Sequence, residues 1–152
     1  MSTARRTPSR PGIALVGALV LGLLAPGGAL AQVPCDQNQP PIIGGFMSPA
    51  SIVEDHHRYV AVHGVIPSAD DDSPPWTFTV GVASSEADEG LGKGDKPNDI
   101  VQVDPANIYD FLVRAELGKN STSRTYTFTY TITDGCGASA STSATVTVTP
   151  RR

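Results

Sequence analysis

Ten consecutive residues, Arg124–Thr133, alternate between threonine and a larger side chain, and this pattern restricts the fold more than any other feature. Tyr126, Phe128, Tyr130 and Ile132 share one side, and threonine occupies every odd position from 125 to 133. Successive side chains of a strand point to opposite faces. The pattern therefore predicts a half-buried antiparallel strand with an apolar face in the core and a hydroxylated face toward water.

The rest of the chain after residue 31 also favours strands. Leucine occurs there only at positions 91, 112 and 117, whereas Val, Ile and Thr together number 31. The other predicted strands are Met47–Val53, Arg58–Ile66, Trp76–Ala83, Asp99–Val103, Ile108–Leu117 and a last one containing Ala144, Val146 and Val148. The side chains predicted to point inward from them are Val60, Val62, Trp76, Phe78, Val80, Val82, Tyr109, Phe111, Val113 and Ala115. About seven short strands separated by Pro, Gly and Asp predict an all-β antiparallel β-sandwich, with a small barrel as the alternative.

Residues 1–31 have the parts of a secretory signal peptide. Arg5, Arg6 and Arg10 form a basic start, Ile13–Ala25 is an apolar run, and Ala29-Leu30-Ala31 offers small residues for cleavage. The run is shorter than the roughly 20 residues of a membrane span. We predict cleavage after Ala31, no membrane span, and a secreted or periplasmic product.

The segment after the predicted cleavage site is acidic and contains both cysteines. Loss of the basic start changes the formal charge from −4 to −7, which disfavours nucleic acid as a partner. Export permits disulfide bonds, and one intramolecular pairing is available, so we predict a Cys35–Cys136 bond. Two free thiols or an intermolecular bond are the alternatives. Residues 32–45 are predicted to be a Pro/Gly-rich lead-in to one domain over residues 46–150.

The acidic stretch Ser84–Asn98 is the main functional lead. It is long for a loop inside a compact domain, and its glycines free backbone carbonyls. Calcium prefers carboxylate, carbonyl and water oxygens on a bendable loop. The candidate calcium ligands are Glu86, Asp95, Asn98, Asp99 and Glu116, with Arg114 as a brace. The alternative is a solvated loop in which Glu86, Asp99 and Arg114 form structural ion pairs.

Four segments together resemble a known family. Ser48–Arg58 is similar to S-P-S-x-L-W-P-P-N-H-K, Ser84–Asp99 to S-S-x-E followed by G-x-G-D-G-D-x-x-P-D, Val113–Glu116 to L-R-A-E, and Arg124–Gly137 to R-x-Y-T-x-T-Y-T-A-T-D-x-C-G. This combination, over about residues 46 to 149, resembles a bacterial secreted immunoglobulin-like domain family. The resemblance implies an immunoglobulin-like β-sandwich that serves as an extracellular accessory or adhesion-type module without catalytic activity. Val53-Glu54-Asp55 in place of W-P-P, and Lys93 in place of an acid, depart from the family pattern.

The remaining residues with chemical potential give weaker signals. His56, His57 and His63 are predicted to be surface or hydrogen-bonding histidines, because neighbours in a strand point to opposite faces. No catalytic motif of the G-x-S-x-G or H-E-x-x-H type occurs in the sequence. The threonine faces favour plain strand formation over an ice- or polysaccharide-binding platform.

The sequence thus predicts an exported, non-catalytic structural or interaction module, with calcium stabilisation left open. The alternatives are a calcium-dependent adhesion or carbohydrate-binding module and, more remotely, a small secreted hydrolase. The predicted partner is an extracellular protein or glycan. Tyr59 and Phe46 are the aromatic side chains expected to face outward and to be available to a sugar.

Overall fold

A computed structural model describes residues 34–70 and 75–152, and the predicted signal peptide and its cleavage site lie outside these ranges. The described residues form ten strands and no helix, which confirms the all-β prediction. The strands are β1 (Ile42–Ile43), β2 (Phe46–Ser48), β3 (Ser51–Val53), β4 (Tyr59–Val65), β5 (Ser68–Ala69), β6 (Thr77–Ser84), β7 (Ile100–Asp104), β8 (Asn107–Arg114), β9 (Arg124–Thr133) and β10 (Ser139–Thr149).

Two four-stranded sheets contain eight of the ten strands. One has the order β2–β4–β8–β7 with every neighbour antiparallel. The other has the order β3–β10–β9–β6, in which β3 runs parallel to β10 and the remaining pairs are antiparallel. The short strands β1 and β5 form a separate two-stranded sheet.

Residues of both four-stranded sheets share one hydrophobic core. Tyr126, Phe128, Tyr130 and Ile132 of β9 are all buried, which confirms the face predicted from the alternation. The ring of Phe128 lies 5.0 Å from that of Phe111 on β8, measured between centroids. Burying one such large apolar side chain contributes roughly 1.5–3 kcal/mol, so this face is a main source of stability.

The structure corrects two details of the predicted strands. Met47–Val53 was predicted as one strand, but it divides at Ser48-Pro49 into β2 and β3, which belong to different sheets. Proline has no N–H for the ladder, which accounts for a break at this position. Trp76 was predicted to point inward, but the residue is 42% exposed and lies just before Thr77, the first residue of β6 that pairs with β9.

The lead-in segment is attached to the rest of the domain. The structure confirms the Cys35–Cys136 disulfide, which is consistent with an oxidising, extracytoplasmic compartment. The Asn38 amide donates a hydrogen bond of 2.8 Å to Asp134, and Ile43 packs against the core. Within the described ranges, no helix is long and apolar enough to cross a membrane.

Candidate functional site

Arg124 is a charged residue on the core face of β9 and is completely buried. It occupies the first position of the strand and shares the inward register of Tyr126, so its side chain enters the interior. Its guanidinium donates to Ser84 Oγ at 2.8 Å, to the Glu116 Oε1 atom at 3.2 Å and to the Asp99 Oδ2 atom. Burial, the largest single effect, would lower the Arg124 pKa, but the hydrogen bond to Asp99 and the attraction of the surrounding negative groups together outweigh it, and the pKa is raised.

Arg114, the last residue of β8, approaches the same carboxylate from the other side. Its Nε atom lies 3.2 Å from the Asp99 Oδ1 atom. Its two terminal guanidinium nitrogens donate to the carbonyl oxygens of His57 and Pro97 at 2.9 Å each, and to the Tyr59 hydroxyl at 2.8 Å. This single side chain therefore connects β8, the turn before β4 and the acidic loop.

Asp99 stands at the centre of this arrangement, with each carboxylate oxygen bonded to a different arginine. Its own position is set by Asp88, whose carboxylate accepts hydrogen bonds from the backbone N–H groups of Asp99 and Asn98 at 2.7 and 3.0 Å. These two bonds hold the pKa of Asp88 below its usual range. The acidic loop thus folds back so that Asp88 contacts its end, and this contact holds Asp99 beside the two arginines.

Glu116 completes the cluster and connects it to a histidine. Its Oε1 atom accepts from Arg124, and its Oε2 atom lies 2.5 Å from His57 Nδ1. Burial raises the pKa of Glu116, and the nearby negative charge of Asp99 raises it further. Two arginines and two buried carboxylates are consequently held together out of water, which is favourable only when each charge has its partners.

We call this set the Arg114–Arg124 network; it comprises Arg114, Arg124, Asp99, Glu116, His57 and Tyr59. It joins segments that lie far apart in the chain: the turn before β4, the acidic loop, the end of β8 and the start of β9. Breaking any one buried pair leaves a charge in the interior with one partner fewer. The arrangement therefore fastens the acidic loop to the two main sheets.

A cleft of about 520 Å³ opens beside this network. His57, which is 32% exposed, and the buried Glu116 contribute to its lining. Its other lining residues are Glu54, Leu91, Gly92, Lys93, Asp95, Leu117 and Lys119. The Nε2 atom of His57 lies against Gly94, since a Cβ built on that glycine would be 3.1 Å from it. The His57 ring thus contacts Glu116 through Nδ1 and faces the backbone of the acidic loop with Nε2.

The structure brings three of the five predicted calcium ligands to the network and leaves two elsewhere on the loop. Asp99 and Glu116 are bonded to arginines, and Glu86 lies 4.0 Å from Arg124. Asp95 accepts from the Leu91 N–H at 2.9 Å. Asn98 makes its contacts through its backbone, to Asp88 and to the Tyr59 hydroxyl.

This donor set does not fit a calcium ion. The guanidinium groups of Arg114 and Arg124 occupy the Asp99 oxygens that a cation would need. In the part of the chain that the structure describes, no group of three or more His, Cys, Asp or Glu residues is arranged to hold a metal ion. Two buried carboxylate oxygens, Glu86 Oε1 and Asp95 Oδ1, are without a hydrogen-bond partner among the described residues. Calcium binding at these residues is thus a prediction that the arginine contacts disfavour, whereas the contacts of Glu86, Asp99 and Arg114 match the alternative of structural ion pairs.

The histidines lie in hydrogen-bonding positions near strand ends or on the surface. His63 Nδ1 lies 2.6 Å from Asp110 Oδ1, and this bond holds the pKa of Asp110 below its usual range. His56 lies 3.4 Å from the Arg151 guanidinium. Both His56 and His57 have positive φ angles, of 45° and 59°, so they belong to a turn and not to a strand.

Sequence reasoning missed Arg124 and Asp88 as functional residues. Arg124 carried a usable signal, because its even position places it on the same face as four core residues. An arginine on an inward register predicts a buried carboxylate partner, since a charge needs one in the interior. Asp88 carried no such signal, because its role depends on how the loop folds back.

Comparisons with protein-family models, curated proteins and solved structures found no match.

Proposed function

We propose that this protein is an exported, non-catalytic structural or interaction module built as an immunoglobulin-like β-sandwich. The strand order supports this type of sandwich. If β2 with β3 is strand A, then β4, β6, β7, β8, β9 and β10 correspond to B, C, D, E, F and G. The two sheets then contain the strand sets ABED and CFG of constant-type immunoglobulin domains. The second half of strand A, β3, adds to the CFG sheet beside G.

The Arg114–Arg124 network is the observation that carries the proposal of a non-catalytic role. Its carboxylates, Asp99 and Glu116, are bonded to arginines and to histidine, so they hold segments together. A general acid or base has to reach a substrate proton within hydrogen-bond distance. Asp99 and Glu116 are almost fully buried and point at arginines, which favours a structural role.

The network also supports the resemblance to bacterial secreted immunoglobulin-like domains. The motif segments of that resemblance contribute His57, Asp99, Arg114, Glu116 and Arg124, and these residues meet in one place. A common structural core explains why such distant segments would have to keep particular charged residues. We infer that the motifs encode the attachment of the acidic loop.

The predicted signal peptide and the disulfide support export. The expected product begins at Gln32 and carries an oxidised Cys35–Cys136 pair, because bonds of this kind persist in extracytoplasmic compartments. Expression of the full chain in a bacterial host, followed by mass spectrometry of the exported fraction, tests this. A product that stays uncleaved in the cytoplasm would contradict the proposed localisation.

The cleft beside the network favours a second candidate, a carbohydrate-binding module. Its walls combine charged groups, among them Lys93, Asp95 and Lys119, with the apolar side chains of Leu91 and Leu117. A sugar presents both hydroxyl groups and an apolar ring face, and sites of mixed lining suit such ligands. Calcium is not part of this candidate, because arginines occupy the carboxylates it would use.

One set of assays separates these candidates from a hydrolase. The exported protein is screened on a glycan array and against glycosidase, esterase and protease substrates, beside a Lys93→Ala/Lys119→Ala variant and a His57→Ala variant. Saturable glycan binding that is lost in the lysine variant would favour the carbohydrate-binding candidate. Turnover that disappears in His57→Ala while the fold is kept would overturn the non-catalytic proposal.

A further inference from the structure

Strand β6 is an edge strand with an unusually open outer side. In the described part of the chain it pairs with β9, and it stands last in the order β3–β10–β9–β6. Just beyond the strand, the Ser85 N–H donates a hydrogen bond to the Thr125 carbonyl of β9. In this register the backbone N–H and C=O groups of the odd-numbered residues of β6 point toward β9. In an antiparallel pair, successive residues alternate between those whose backbone groups bond the partner strand and those whose backbone groups point away from it. The N–H and C=O groups of Phe78, Val80 and Val82 therefore point away from β9.

The core beside β6 is incompletely covered. The inward side chains of Phe78, Val80 and Val82 are only partly buried, whereas those at corresponding positions of β9 have almost no exposed surface. Trp76 is 42% exposed immediately before this strand. An added strand would cover these apolar groups and would also satisfy the outward backbone groups.

The other sheet edges carry features that discourage pairing, and β6 does not. Strands β2 and β3 are three residues each, and β7 is interrupted by a bulge between Gln102 and Asp104. Short edges, bulges and charges are the usual protection of sheet edges. Strand β6 has eight residues, Thr-Phe-Thr-Val-Gly-Val-Ala-Ser, with neither a charged residue nor a proline.

We propose that two copies of this protein associate through antiparallel pairing of their β6 strands. A second copy fits this edge because an uncharged edge strand is self-complementary about a two-fold axis perpendicular to the sheet. Each β6 then supplies the outward N–H and C=O groups that the other needs. Trp76 of each copy comes to lie near the Ser84 end of the other strand.

The test combines sedimentation with the fluorescence of Trp76, which is the only tryptophan in the chain. The exported protein should form a dimer whose population rises with concentration, accompanied by a shift of the emission to shorter wavelength. The variant Thr79→Lys/Ala83→Lys places like charges beside the two-fold axis on exposed positions, and should weaken association about tenfold or more. The matched control, Thr127→Lys/Thr131→Lys, adds the same charges on the cross-strand neighbours in β9 and should keep the dimer.

Hydrogen exchange of the unmodified protein provides a readout that does not depend on a variant's folding. The amides of Phe78, Val80 and Val82 should become more protected as concentration rises, whereas edge amides of β7 should not. A protein that stays monomeric at sub-millimolar concentration would overturn the proposal. A dimer that persists in Thr79→Lys/Ala83→Lys would overturn it as well, because its interface would then lie elsewhere.

Discussion

Asp99 and Arg124 form a buried ion pair that joins the end of the acidic loop to the first residue of β9. The same carboxylate also bonds Arg114, so one side chain from the loop connects two central strands of opposite sheets. The acidic loop is therefore held at its end by the core and is not merely a solvated surface segment.

Removal of Arg124 should destabilise the protein strongly. Arg124→Met leaves the Asp99 and Glu116 carboxylates buried with one partner fewer each, which costs about 3–5 kcal/mol of unfolding free energy. Urea unfolding of the variant and the unmodified protein measures this difference. The control is Arg58→Met, which removes a 3.6 Å pair with Asp55 from a side chain that is 76% exposed, and should cost less than about 1 kcal/mol. Equal losses in the two variants would contradict the structural role of the network.

Gly64 should be intolerant of a side chain because of Tyr130. A Cβ at position 64 would collide with the Tyr130 hydroxyl oxygen and would lie 3.0 Å from its Cζ atom. We expect Gly64→Ala to cost about 1–3 kcal/mol through overpacking. Adding Tyr130→Phe removes the colliding oxygen, so the double variant should recover part of the loss in thermal unfolding. Strictly additive effects of the two substitutions on stability would show that the added methyl group at position 64 and the Tyr130 hydroxyl do not contact each other.

Reduction of the disulfide should lower stability without removing the core. The Cys35–Cys136 bond closes a loop of 101 positions, and breaking such a bond costs roughly 2–5 kcal/mol. Urea unfolding with and without a reductant measures the loss, and Cys35→Ala/Cys136→Ala should reproduce the reduced protein. Loss of the β-sheet circular dichroism signal on reduction at neutral pH would contradict a self-sufficient core.

Stability should fall in acid because several carboxyl groups titrate below their usual range. Backbone or side-chain hydrogen bonds lower the pKa of Asp88, Asp95, Asp110 and Asp134. Their contribution is present above the unfolded pKa and is lost as pH falls through the lower folded pKa. Glu116 acts in the opposite direction, since its raised pKa favours folding at low pH, and that contribution disappears as pH rises.

Asp134→Asn tests the acid limb of this profile. The Asp134 carboxylate accepts from Asn38 at 2.8 Å, from the Cys136 N–H at 3.0 Å and from the Ala138 N–H at 2.8 Å. The variant should be less stable at neutral pH and should lose less of its stability between neutral pH and about pH 3. Parallel stability curves for the two proteins would assign the acid sensitivity to other groups.

Calcium should leave the unfolding temperature unchanged. Arginines occupy both oxygens of Asp99 and the Oε1 atom of Glu116, and His57 occupies Glu116 Oε2, so bound metal would have to displace buried ion pairs. Thermal unfolding with added calcium and with a chelator measures the effect, since a ligand at 100 times its Kd adds roughly 2.7 kcal/mol. An unfolding temperature that rises when calcium is added would instead support a site at the buried oxygens of Glu86 and Asp95. In that case Glu86→Gln should abolish the increase in unfolding temperature.

Local patterns were sufficient for much of the fold. The period of two in β9 predicted which side chains are buried, because strand geometry alone decides the face. The disulfide was predictable from the predicted signal peptide and the single available pairing. Trp76 was misplaced because nothing in its own neighbourhood reveals that pairing begins one residue later.

Alternation and residue chemistry therefore decide by themselves that this chain forms strands with a core face and a hydroxyl face, because both depend on neighbours in sequence. Which carboxylate meets which arginine, and which strand is left at the edge, was decided only by tertiary structure. Asp99, Glu116, Arg114 and Arg124 become partners because sheet packing brings distant segments together. Coulomb attraction in the interior depends on the distances between these charged groups. The spacing of the residues along the chain does not determine those distances.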